Sequence, residues 1–192
     1  TVNPKINAFN YLDFDKSLEH AKESEKKLSP VEVLSAVIKR IETVNPKINA
    51  FNYLDFDKSL ELAKESEKKF SNNNDVLPLE GLPLAIKDEV NIKGQPNRNG
   101  CLLLKNNIAQ KTDIDVETIV NSGAILHGRT TNPEFSLTSF CHSKLNGVTR
   151  NPWNLDMTPG GSSGGSAAAL ASGCAMLTTG SDIGGSIRIP AG

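Results

Sequence analysis

The stretch over residues 160–192, GGSSGGSAAALASGCAMLTTGSDIGGSIRIPAG, sets two Gly/Ser-rich turns around a run of small apolar residues, and it constrains the fold more tightly than any other part of the chain. Gly160, Gly161, Gly164 and Gly165 surround Ser162, Ser163 and Ser166, so the backbone there can take positive φ and bring N–H groups and hydroxyls close to a ligand. A second turn of this kind, DIGGS over residues 182–186, follows. Between the turns, residues 166–172 are nearly all Ala and Leu, which predicts a close-packing helix stopped at Gly173. Residues 174–179 read as a short buried strand leading into the second turn, on a run too brief for periodicity to decide. A flexible Gly/Ser linker would lack the apolar helix and strand between its glycines.

The motif GGSSGGSAAALASG followed by GSDIGGSIRIPAG resembles the signature of the amidase signature family of serine hydrolases. That resemblance implies a triad of a lysine, a serine reached through a cis peptide and a nucleophilic serine. Carried onto this sequence it falls on Lys87, Ser162 and Ser186, whose separations of 75 and 24 residues fit the family pattern. The Gly161-Ser162 peptide is then expected to be cis. The backbone N–H groups of Ile183, Gly184, Gly185 and Ser186 are expected to form the oxyanion hole, Ser163 to be a supporting hydroxyl, and Asp182 with Arg188 an ion pair holding the turn. The implied fold is α/β, a central mixed sheet flanked by helices, here truncated to its N-terminal half, with residues 29–192 as the N-terminal part of the domain. No metal and no cofactor enters the implied chemistry. A neutral Lys87 takes a proton from Ser162, Ser162 takes one from Ser186, and Ser186 attacks an amide carbonyl to form an acyl-enzyme.

The residues around Lys87 leave two readings open. Pro83-Leu84-Ala85-Ile86 is an apolar run that predicts a buried strand carrying Lys87 at its end. Lys is seldom buried unless paired or functional, and burial favours its neutral form. A base would need its pKa brought from about 10.4 toward about 7 or 8. A plain salt bridge to Asp88 or Glu89 accounts for the lysine equally well, and only the family's Ile-Lys-Asp segment tips the balance toward catalysis.

Composition adds bounds rather than chemistry. At 192 residues and 38% hydrophobic the chain can build one domain with a core. A formal net charge of −1 gives no electrostatic reason to expect nucleic acid or an anionic membrane as a direct partner. No run approaches the roughly 18 apolar residues of a membrane span and no basic-then-apolar leader opens the chain, so a soluble, cytoplasmic protein is expected. Small-molecule amides are the expected binding partners, and a homodimer is left open. Cys101, Cys141 and Cys174 are an odd set that suits buried thiols, and a zinc site from Cys101, His127, Cys141 and His142 lacks paired ligand spacing.

Residues 1–27 recur at 43–69 with only His20 against Leu62 differing. Two near-identical copies are too few for a solenoid, so the second copy is expected to occupy the native position and residues 1–28 to be peripheral. Ser29-Pro30-Val31-Glu32 forms a capping box that predicts a helix over 30–43, with Leu34, Val37, Ile38 and Ile41 on its buried face and Asn45-Pro46 ending it. A strand over 48–54, a charged surface helix over 57–69 and a mobile loop over 71–77 are expected next. Thr112 and Asp115 predict the cap of a helix over 113–121, with a strand over 124–128 after Gly123. The segments 131–135 and 151–154 resemble family loops beside the site, with Trp153 as a packing anchor.

Two activities share the implied triad. One is a stand-alone amidase acting on small or fatty acyl amides. The other is the amidotransferase subunit that strips ammonia from glutamine and passes it to partner subunits for tRNA-bound glutamate. In that subunit the turn usually carries Thr and Gln where this chain has Ile183 and Ile189, which favours the monofunctional enzyme. A third reading is an inactive fragment, because the strands of the missing half would leave sheet edges and the pocket open.

Overall fold

Strand β2 (Pro83–Lys87), which carries the lysine, is buried at all five positions. A strand buried on both faces needs cover on both, and its place in the sheet supplies it. In this computed structural model, which describes residues 28–72 and 76–192, the strand order is β1 (Phe51–Leu54), β3 (Ile125–Thr130), β2, β6 (Leu177–Thr178). β1 runs antiparallel to β3, while β3 and β6 both run parallel to β2. The sheet is therefore mixed, as expected. The first repeat copy and the centre of the Asn-rich loop lie outside the described residues, and with them the expectation that residues 1–28 are peripheral.

Alternation along β2 divides the core. Ala85 packs with Val37 and Ile41 of α1 (Pro30–Ile48) and with Ala168 and Ala169 of α4 (Gly164–Ala171). Leu84 and Ile86 instead join Val116 of α3 (Ile114–Asn121). Helix α2 (Phe56–Asn72) completes the first layer through Ala63, set against Leu34 and Ile125. Each large side chain removed from water contributes about 1.5–3 kcal/mol, so β2 is held from both sides by the terms that dominate folding. A two-stranded ribbon, β4 (His142–Ser143) with β5 (Gly147–Val148), and a final turn of helix, α5 (Arg188–Ala191), lie outside this sandwich. Among the described residues no helix is long and apolar enough to cross a membrane.

The capping box forms, with Glu32 N–H donating to Ser29 Oγ at 3.2 Å and Ser29 N–H to Glu32 Oε2 at 2.8 Å. Helix α1 does not end at Asn45-Pro46, however, and runs on to Ile48. Pro46 falls in the last turn, where its missing N–H forfeits one bond to the carbonyl four residues back, and the helix continues nonetheless with Ile48 drawn into the core. The end is made by Asn49 in the left-handed region (φ 51), with its N–H on Asn45 O at 2.8 Å. Asn45 Oδ1 then accepts the N–H groups of Ala50 and Phe51, so β1 begins later than expected. At α3 the N-cap is Asp113, not Thr112, and its carboxylate accepts the Asn91 N–H at 2.8 Å instead of a helix donor. β3 reaches Thr130, beyond the expected end at 128, whereas only two residues of the expected strand over 174–179 pair. Trp153 is not a packing anchor, since it is 80% exposed.

Candidate active site

β2 delivers Lys87 to the sheet's C-terminal edge with 1% of its surface exposed. Its Nζ lies 2.8 Å from Ser162 Oγ, 2.8 Å from Ser181 Oγ and 3.0 Å from Glu89 Oε2. Burial pushes the Lys87 amine below its ordinary pKa, against the opposing pull of the Glu89 carboxylate. The two adjacent carboxylates are used differently. Asp88 pairs with buried Arg129 at 3.3 Å and accepts from Asn52 Nδ2 at 2.7 Å. Lys87 Nζ thus meets a carboxylate, Glu89, and the Ser162 hydroxyl at once.

The Gly/Ser-rich loop runs into α4, whose first turn is bound to the end of β3. Gly165 N–H donates to Thr131 O at 3.2 Å, and Ser166 Oγ sits 2.7 Å from Thr130 Oγ1 and donates to Thr179 O at 2.8 Å. This anchoring places Ser162, 1% exposed and preceded by a cis peptide from Gly161, beneath Lys87. Ser163 N–H donates to Ser186 O at 3.1 Å, which joins the two serine turns through the backbone.

Asp182 organises the second turn. Its carboxylate accepts the N–H groups of Gly185 at 2.8 Å and of Ile187 and Arg188 at 3.0 Å each, and the Arg188 guanidinium at 2.8 and 3.1 Å. The Arg188 side chain, helped by these amides, holds the Asp182 carboxyl far below the carboxylate range. Gly185 takes φ +115, a conformation side chains rarely adopt, which lets the chain wrap around that carboxylate.

The structure brings Lys87, Ser162 and Ser163 together and ties Ser186 to them by its carbonyl, but Ser186 Oγ makes no hydrogen bond to Ser162. Of the four amides expected to line an oxyanion hole, that of Gly185 is committed to Asp182; those of Ile183, Gly184 and Ser186 have no partner among the described residues. Ile183 is fully exposed. Sequence reasoning missed Ser181, whose only signal was its place before Asp182, and Ser136, which donates to Glu89 Oε2 at 2.7 Å. A cavity of about 570 Å³ flanks the site, lined by Trp153, Ser163, Ala167, Leu170, Ile187 and Pro190 among others, and neither Lys87, Ser162 nor Ser186 borders it. Cys101 and Cys141 are buried thiols, buried His127 sets Nε2 against Cys174 O at 3.1 Å, and His142 stacks on Phe140. Among the described residues no three His, Cys, Asp or Glu side chains gather as metal ligands.

Comparison with known proteins places the chain in a family. A family model described as Amidase matches residues 32–192. The chain is 49% identical over 115 residues to a glutamyl-tRNA(Gln) amidotransferase subunit of Methylacidiphilum infernorum, a match covering 60% of this chain and 23% of that protein. It is 45% identical over 113 residues to an indoleacetamide hydrolase of Bradyrhizobium diazoefficiens, covering 59% and 22%. The crystal structure of a bacterial aryl acylamidase of the amidase signature family superimposes with a TM-score of 0.83 at 35% identity, over 91% of this chain and 36% of that one. A fatty acid amide hydrolase does so with 0.84 at 32% identity, over 90% and 31%. The matched stretch thus spans about a quarter of the curated relatives and about a third of the solved ones. Because the family model matches residues 32–192, most of this chain, and the fold is shared with these enzymes, the chain belongs to the Amidase, or amidase signature, family.

Proposed function

We propose that the protein hydrolyses amides through an acyl-enzyme on Ser186, with Lys87 as base, Ser162 as the proton relay, and residues 29–192 forming the N-terminal part of the catalytic domain. The observation that carries this reading is the Lys87 amine, buried and lowered in pKa, 2.8 Å from Ser162 Oγ. Neutral Lys87 accepts the Ser162 proton as Ser162 accepts that of Ser186. The Ser186 oxygen then bonds to the amide carbon, and Ser162 returns a proton to the departing amine before water releases the acid. The Ser162 to Ser186 step needs a hydroxyl contact that closes with substrate bound, as catalytic hydrogen bonds commonly do. The amides of Ile183, Gly184 and Ser186 are the donors for the developing oxyanion, worth about 3 to 4 kcal/mol apiece when fixed.

Amides with apolar substituents are the substrate class we favour. The exposed Ile183 and Ile187 and the apolar cavity beside Ser163 support it, together with relatives named for aryl acylamides, fatty acid amides and indoleacetamide. The 49% identity to an amidotransferase subunit supports a second reading, glutamine hydrolysis for ammonia transfer. A fluorophosphonate probe on the full-length protein tests the nucleophile. Labelling is expected to vanish with Ser186→Ala; labelling that survives Ser186→Ala and is lost with Ser163→Ala would assign the wrong serine. Faster turnover of glutamine than of an arylamide would favour the second reading.

A further inference from the structure

We propose that Glu89 is a positioning residue for this site: by accepting one N–H of Lys87, it turns the lone pair of the neutral amine away from the carboxylate and toward the serine hydroxyls, Ser162 among them. The inference rests on the reading of Lys87 as base and concerns what makes that base point the right way.

Three acceptors surround Lys87 Nζ: Ser162 Oγ, Ser181 Oγ and Glu89 Oε2. An ammonium satisfies all three. A neutral amine has two N–H groups and one lone pair, so one of the three partners must turn and donate. Either serine hydroxyl can do so, whereas an ionised carboxylate only accepts. Burial pushes the Glu89 carboxyl up, but hydrogen bonds, those of Ser136 and Lys87 among them, outweigh it and hold the group below its ordinary range. An ionised Glu89 therefore takes one amine N–H, at 3.0 Å, and the other N–H and the lone pair are left to the Ser181 and Ser162 hydroxyls, each 2.8 Å from Nζ.

Glu89 is itself fixed in place. Ser136 Oγ donates to it at 2.7 Å and accepts from Asn132 Nδ2 at 3.0 Å, and Asn132 also reaches Asn99 Oδ1 at 2.9 Å. Phe135 and Ser136 hold φ of 50 and 57, a left-handed conformation that side chains disfavour, at the point where the chain hands the Ser136 hydroxyl to Glu89. Among the described residues no other carboxylate does the same for Lys87. Asp182, from the turn after β6, is saturated by Arg188 and backbone amides, and Asp88 is turned to Arg129. The remaining titratable neighbour is the Cys141 thiol, pushed up by burial and so neutral.

The test uses the full-length enzyme and Glu89→Gln, which keeps the size but puts a donor where only an acceptor stood. The plateau kcat is expected to fall at least about tenfold with KM within about threefold, and the acid limb of the pH profile to move to lower pH because the counter-charge is gone. The ¹³Cε resonance of Lys87, assigned by its loss in Lys87→Arg, should titrate at correspondingly lower pH, a readout that needs no turnover. Glu89→Asp should recover part of kcat, and Ser136→Ala should lose less than Glu89→Gln, with thermal melts confirming that each variant folds. A plateau kcat within threefold of wild type, or a Lys87 titration unmoved by Glu89→Gln, overturns the proposal. Turnover that survives Lys87→Arg overturns the base reading and this inference with it, whereas an unmoved titration beside an inactive Lys87→Arg variant overturns this inference alone.

Discussion

Among the described glycines, an added Cβ meets its closest contacts at Gly165, so Gly165→Ala should be strongly destabilising. A Cβ on Gly165 would stand 2.5 Å from Thr131 N and closer still to Thr131 O and Oγ1. These are backbone and buried side-chain atoms with no freedom to retreat, so restoring ordinary contact moves α4 from β3 by about 1 Å. Overpacking of this kind costs about 1–3 kcal/mol. The displacement also weakens the Gly165–Thr131 bond at 3.2 Å and the Ser166–Thr130 bond at 2.7 Å, each worth about 1 kcal/mol. Alanine's better helix propensity returns about 1 kcal/mol, leaving a net loss of about 2–4 kcal/mol. With an m-value of about 2 kcal/mol/M, the urea midpoint should drop by about 1–2 M. Gly184→Ala is the control, because nothing lies within 4 Å of a Cβ there, and its midpoint should barely move. The same shift carries Ser162 and Ser163, which lead into α4, so probe labelling of Ser186 should slow by about 100-fold. A Gly165→Ala midpoint within about 0.3 M of wild type, or equal losses for both variants, would refute the close approach of α4 to β3.

Three further outcomes are expected. Lys87→Arg keeps the charge but cannot serve as base, so a variant folded by circular dichroism should retain less than a tenth of wild-type turnover, a barrier change above about 1.4 kcal/mol. His127 is held by burial at a pKa of about 4, so the unfolded chain binds the extra proton below about 6.5. Its contribution is therefore complete above pH 6.5 and lost as pH falls to 4, about 3 kcal/mol in all, and this part of the pH dependence of urea midpoints should disappear in His127→Gln. Because Arg188 and backbone amides depress the Asp182 carboxyl, its hold on the Ser186 turn is present above the ordinary carboxylate range and is lost only at strongly acid pH. Ser186 labelling should thus be weakened by Asp182→Asn at neutral pH; labelling equal to wild type would show that the turn holds its shape without the charge.

What the sequence could reveal alone was local or carried by the family motif. Ser29 and Glu32 cap a helix from three residues apart, an apolar run of four leads β2 up to Lys87, and the Gly/Ser turns bracket α4, because each signal acts within one or two turns of backbone. The motif also pointed to Lys87, Ser162 and Ser186 with no geometry in hand. The end of α1 was not legible, since Pro46 is a stop by propensity, and only Ile48 entering the core and Asn45 capping β1 carry the helix past it. Trp153 looked like core from its chemistry and lies on the surface, at the cavity it lines together with Ala167 and Leu170 of α4. The choice between Asp88 and Glu89 as partner of Lys87 was open for the same reason. Neighbours in sequence, they are separated by what the fold puts against them: Arg129 from β3 for one, Lys87 and the Ser136 turn for the other. Contacts that join residues 75 or 94 positions apart depend on strand order and register, and these arise only when the whole sheet closes over its two apolar layers.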